Sequence, residues 1–124
     1  MFSFMNAKLR IGLLLIGTLT PMLSTAGDAD FLLVNRTGYD IREIYVSPAK
    51  QKRWGQDRLG RSVLGNRQQR QFKFGAFADC IQDMRIVFDD DGSEVVWERL
   101  DLCELEKIIL RYNRNTGEVF LDAE

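Results

Sequence analysis

The sequence predicts an all-β fold: an antiparallel β-sandwich or small barrel of about seven strands with one long loop. Three observations predict it. From residue 31 onward the apolar residues recur with period two rather than 3.6. Gly, Asn and Asp interrupt these runs at short intervals, as turns between strands do. No long segment carries a helical stripe.

The first 26 residues stand apart and read as a secretory signal peptide. Lys8 and Arg10 make a positive start, and no acid precedes Asp28. Residues 11–19 are apolar apart from Gly and Thr. That run is about half the roughly twenty residues a bilayer span needs. Pro21 ends any helix, and Ser24-Thr25-Ala26 places small residues at a cleavage site near Ala26. No Arg-Arg pair is present, which favours the general secretory route. The expected product is a single all-β domain over residues 27–124, periplasmic or secreted, with no transmembrane segment. Its charge moves from −1 to −3, because the leader holds two bases and no acid.

The strands follow in order. Phe31-Leu32-Leu33-Val34 is a short continuous apolar run, and Asn35-Arg36-Thr37-Gly38 stops it. Residues 41–47 (IREIYVS) are rich in β-branched and aromatic residues and end at Pro48. Residues 69–74 (QRQFKF) alternate polar and aromatic. Met84, Ile86 and Phe88 alternate into an Asp91-Gly92 hairpin, which leads to Val95-Val96-Trp97. Residues 107–113 (KIILRYN) turn at Asn115-Thr116-Gly117 into Val119-Phe120-Leu121.

Residues 48–68 break this pattern. About twenty residues without strand character is long for a connection in a compact domain, and such loops are usually functional or disordered. Trp54, Leu59, Val63 and Leu64 argue against disorder, since they can pin the loop to a core. Within it, Trp54, Gly55, Asp57 and Gly60 form its most specific segment. Either Trp54 is a plug and Asp57 a clasp on the loop backbone, or the segment is a recognition site. The sequence leaves both open. Gly55 and Gly60 supply left-handed backbone where the turns need it.

Composition excludes several function classes. Apolar residues at 45% and charged residues at 28% are the balance of a globular domain. There is no His, which removes Ser-His-Asp, Cys-His and His-metal chemistry together. A net charge of −1 speaks against a uniformly basic nucleic-acid binder. That balance hides a segregation. Residues 50–73 hold eight bases and one acid, and residues 79–106 hold ten acids and two bases. Lys50, Lys52, Arg53, Arg58 and Arg61 therefore form a candidate basic face, unless the acids fold back onto them.

The two cysteines, Cys80 and Cys103, are expected to pair in an oxidising compartment. Neither has a CxxC partner, so thiol chemistry is disfavoured. Asp89-Asp90-Asp91 followed by Gly92 is an ordinary hairpin turn, with calcium as the alternative. Asn35-Arg36-Thr37 is a glycosylation sequon that reads more simply as turn chemistry. No spacing selects a carboxylate pair, and no Ser lies in a nucleophile elbow.

The strings NRTGYDIREIYVSPAKQKRWGQDRLG, VFDDDGSEVVW and LCELEKIILRYNRNTG resemble a family of small exported bacterial proteins. Its members carry N-x-T-G, Y-V-S-P and W-G-x-D-x-L-G motifs, a D-G hairpin and a late L-C. The likeness spans roughly residues 31–117 and implies a periplasmic β domain. The family has no established biochemical function. Some members bear an argininosuccinate-lyase label, but that enzyme is a long helical tetramer with a Gly-Ser-Ser loop and a catalytic His. This chain has neither.

Taken together, the sequence points to an exported, non-catalytic binding module without a cofactor. Its expected partner is an anionic envelope component, met through the basic loop. The alternative is a small envelope inhibitor or immunity protein that plugs a partner protein's active site with a loop. A carboxylate-based hydrolase or lyase is the third class. Oligomeric state is left open.

Overall fold

Strands form at the apolar, β-branched and aromatic runs that lie between the turn signals. The computed structural model describes residues 27–124, so the leader read at 1–26 lies outside the described residues. Seven strands form: β1 (Phe31–Arg36), β2 (Ile41–Pro48), β3 (Gln69–Phe72), β4 (Ile81–Phe88), β5 (Glu94–Asp101), β6 (Lys107–Asn113) and β7 (Glu118–Ala123). The described residues contain no α-helix, only a 3₁₀ turn at Ala49–Gln51.

The strands make two open sheets packed as a sandwich, not a closed barrel. One has the order β3-β1-β6-β7 and the other β2-β4-β5. Every neighbouring pair is antiparallel except β1 with β6, which run parallel from Leu32↔Lys107 to Arg36↔Arg111. Hairpin signals in the sequence mark antiparallel neighbours only. A parallel pair joins strands far apart in the chain and leaves no local signature.

Between the sheets lies one apolar core. Phe31, Leu33, Ile108 and Leu110 from the first sheet meet Ile44, Val46, Met84 and Ile86 from the second, all essentially inaccessible. Trp97, Val119 and Leu121 pack partly buried against this cluster. Phe31 also packs against Phe72 and Phe74, with ring centroids 5.5 and 6.1 Å apart.

The expected disulfide is present. Cys80 and Cys103 are bonded, with their Cα atoms 5.2 Å apart. Cys80 stands just before β4 and Cys103 between β5 and β6. The bond therefore ties the start of β4 to the connection that crosses from the small sheet into the large one.

Candidate functional site

Strand β2 is an edge of its sheet, and the long loop covers that edge. The backbone N–H and C=O groups of Ile41 bond to Leu64, both at 2.9 Å. The N–H of Ile44 donates to Asp57 Oδ1 at 2.9 Å, and the N–H of Arg58 donates to the Ile44 carbonyl at 2.7 Å. Arg58 Nη2 donates to the Val46 carbonyl at 3.2 Å. The Ser47 hydroxyl donates to the Arg53 carbonyl. An uncovered edge strand presents unpaired backbone groups that invite other chains. Here residues 53–64 engage those of Ile41, Ile44 and Val46.

Asp57 is the clasp of this arrangement. Besides Ile44, its Oδ1 accepts the N–H of Leu59 at 3.0 Å, within its own loop. One carboxylate oxygen thus closes the turn and attaches it to β2. Gly55 and Gly60 both have positive φ, +75° and +62°, which L side chains rarely adopt. Trp54 is partly buried and lies against Tyr45, with ring centroids 6.4 Å apart. Leu59 and Leu64 are buried and pin the loop. Val63 does not share that role, because it is 40% exposed.

The loop's bases differ in how they are engaged. Lys50, Lys52, Arg53, Arg58 and Arg61 are all exposed. Lys50 is bonded to Asp79 at 3.3 Å. The other four make no ion pair among the described residues. Arg58 instead lies with its guanidinium 4.5 Å above the ring of Phe74. Partial desolvation holds its pKa below the ordinary arginine value, and it stays charged at physiological pH.

Between the loop and the end of β2 is a cleft of about 740 Å³, whose walls include Ser47, Arg53, Trp54, Gln56 and Arg58. Asp57 also lines it, with one oxygen committed to the two N–H groups. The cleft offers an aromatic surface beside two guanidinium groups.

The remaining features fall elsewhere. In the Asp89–Asp91 turn, Asp91 Oδ1 accepts the N–H of Ser93 at 2.9 Å. Among the described residues, Cys80, Asp101 and Cys103 form the one grouping of potential metal ligands, and its sulfurs are bonded to each other. The sequon residue Asn35 is fully buried. Its side chain donates to the carbonyls of Tyr39 and Leu64 and accepts from Thr37. A buried, fully bonded amide cannot carry a glycan in the folded state.

Sequence reading missed three features. Phe77 is 99% exposed, on a turn closed by Ala78 N–H to the Gly75 carbonyl at 3.1 Å. A second cleft of about 700 Å³ opens between β5 and β7, where Trp97 and Tyr112 stand beside Asp90 and Glu118. A third gathers four arginines, Arg36, Arg67, Arg111 and Arg114. An isolated Phe, Trp or Arg carries no signal of exposure or clustering, so only the arrangement of strands reveals these.

Fold and disulfide together define a disulfide-linked, open β-sandwich domain. No family model, curated protein or solved structure matches the chain.

Proposed function

We propose that this protein is an exported, non-catalytic binding module whose basic loop takes an anionic envelope component. The observation that carries the reading is the unpaired state of Lys52, Arg53 and Arg61 in the loop that covers the β2 edge. Glu94, Glu98 and Asp101 lie on β5, the opposite edge of the same sheet. Charges of opposite sign on opposite edges leave the basic edge free to attract an anion. The cleft beside Trp54 gives that attraction a surface to act on.

The test is retention of the mature protein on immobilised envelope polyanions at rising salt. Retention should fall steeply between low and physiological ionic strength, since exposed point charges are screened within about 8 Å there. Replacing Lys50, Lys52 and Arg53 together with Ser should reduce retention without changing the melting temperature. Retention that survives both high salt and this triple change would overturn the reading.

One observation favours the inhibitor or immunity reading. Phe77 projects fully into solvent from a turn followed at once by Asp79, which pairs with Lys50, and by the disulfide residue Cys80. A braced, exposed aromatic is the form of an anchor that fills a pocket on a partner. If Phe77→Ala abolishes capture of a single envelope protein while polyanion retention is unchanged, this second reading takes precedence.

A further inference from the structure

The cleft where β1 turns toward β2 is built from guanidinium groups brought together across the whole chain. Its volume is about 490 Å³, and Arg36, Arg67, Arg111 and Arg114 line it beside Asn66 and Tyr112. No carboxylate lines it. Arg111 is bonded to Asp122 at 3.2 Å. Arg36, Arg67 and Arg114 make no side-chain hydrogen bond or ion pair among the described residues.

The strands impose this closeness. Arg36 and Arg111 are direct partners in the parallel β1–β6 pair. Like charges directly opposite on neighbouring strands are destabilising. Arg67 is held next to them because its N–H donates to the Asn35 carbonyl at 2.7 Å. It does so with φ at +73°, in a left-handed backbone that a β-carbon disfavours. Arg114 follows the last residue of β6. Asn35, which precedes Arg36 and holds Arg67, is buried and bonded on both sides of its amide.

We infer that this cleft binds a phosphoryl group. Guanidinium forks match the oxygens of phosphate in bidentate pairs, and several together match a dianion better than a singly charged carboxylate. After Asp122 offsets one charge, three guanidinium groups remain without a counter-charge. The bound anion would relieve the Arg36–Arg111 repulsion. The inference uses none of the loop bases Lys50, Lys52, Arg53, Arg58 and Arg61, so it stands or falls apart from the function proposed above. The phosphoryl group can belong to a soluble phosphorylated molecule or to a phospholipid headgroup.

The experiment is an NMR titration of the folded, disulfide-bonded protein with inorganic phosphate at constant ionic strength, beside acetate. Phosphate should produce saturable shifts at Arg36, Gly38, Arg67 and Arg114, and acetate only weak linear ones. Arg36→Gln with Arg114→Gln should weaken phosphate binding by about tenfold or more, as expected when two charged contacts are lost. The change of Lys50, Lys52 and Arg53 to Ser should leave it unaltered. Vesicles of phosphatidylcholine with and without phosphatidic acid form the second arm. Phosphatidic-acid-dependent binding that the Arg36/Arg114 variant loses assigns the group to a lipid. Phosphate binding without vesicle binding assigns it to a soluble molecule. Equal response to phosphate and acetate, or unchanged phosphate affinity in the Arg36/Arg114 variant, would overturn the inference.

Discussion

Three polar side chains hold more of this molecule than their size suggests. Asp57 satisfies two backbone N–H groups with one oxygen. Asp57→Ala leaves both without that acceptor, which typically costs about 1–3 kcal/mol. Asp57→Asn keeps an acceptor at the same place and should lose less. Urea unfolding of the two variants beside the parent would separate a clasp from a mere surface charge. Asn35 is the second, joining the β1–β2 turn to Leu64 of the long loop. At the third, the Tyr45 hydroxyl donates to Glu43 at 2.6 Å. That bond is the largest cause holding the Glu43 carboxyl below its ordinary value, with Arg42 and Arg85 adding to it and burial opposing. A folded-state pKa below the unfolded one contributes stability above the unfolded value. That contribution is lost as pH falls through the folded one. Tyr45→Phe should therefore move the Glu43 titration upward, measured by carboxyl NMR between pH 2 and 7.

At the scale of elements, the long loop behaves as a substitute strand. It covers the β2 edge with backbone and side-chain bonds, and Leu59 and Leu64 anchor it in the core. Leu64→Ala should cost about 2–5 kcal/mol, the usual range for a buried leucine. It should also raise hydrogen exchange at Ile41 and Ile44 before that of β4. If those amides stay protected, the loop is not what shields the edge. The opposite edge, β5, is defended differently. Glu98 and Arg99 together face Asp83, and Arg99 sits at φ +57° with its N–H donated to Asp83 Oδ1 at 2.9 Å. This bulge twists the edge away from regular pairing. The disulfide acts on the connection between the sheets. Its cysteines are 23 residues apart, and closing such a loop is worth about 3 kcal/mol in the chain-entropy account. Reduction, or Cys80→Ser with Cys103→Ser, should lower the denaturation midpoint accordingly while keeping the far-UV signature of a β protein.

For the molecule as a whole, charge is unevenly divided between the edges of the small sheet. Bases follow the β2 edge, and Glu94, Glu98 and Asp101 follow the β5 edge. Strand β7, the outer strand of the large sheet, carries Phe120 at 42% exposure between Glu118 and Asp122. Charges flanking an exposed apolar edge oppose edge-to-edge pairing. Replacing Glu118 and Asp122 with Thr should produce concentration-dependent association, visible in sedimentation velocity, where the parent shows less.

Local chemistry was the part legible in advance. Alternation, short apolar runs and β-branched or aromatic content between turn signals located all seven strands, because a strand must bury one or both of its faces. Asp91-Gly92 and Asn115-Thr116-Gly117 marked their turns, because such turns need residues that tolerate left-handed backbone or bond to their own backbone. Two cysteines without CxxC spacing marked the Cys80–Cys103 bond. The unusual length of residues 48–68 singled out the loop.

Tertiary structure alone decided the rest. It chose an open sandwich over a barrel and made β1 and β6 parallel neighbours, a pairing between strands some seventy-five residues apart. That pairing sets Arg36 against Arg111, and the cleft that Arg67 and Arg114 complete follows from it. It also used Asp57 to bind β2 as well as its own loop, and left Phe77 in solvent. The physical reason is one of range. Periodicity, turn propensity and cysteine pairing are set by neighbours along the chain. The company a charged or aromatic side chain keeps is set by which strands lie side by side, and no local pattern encodes that.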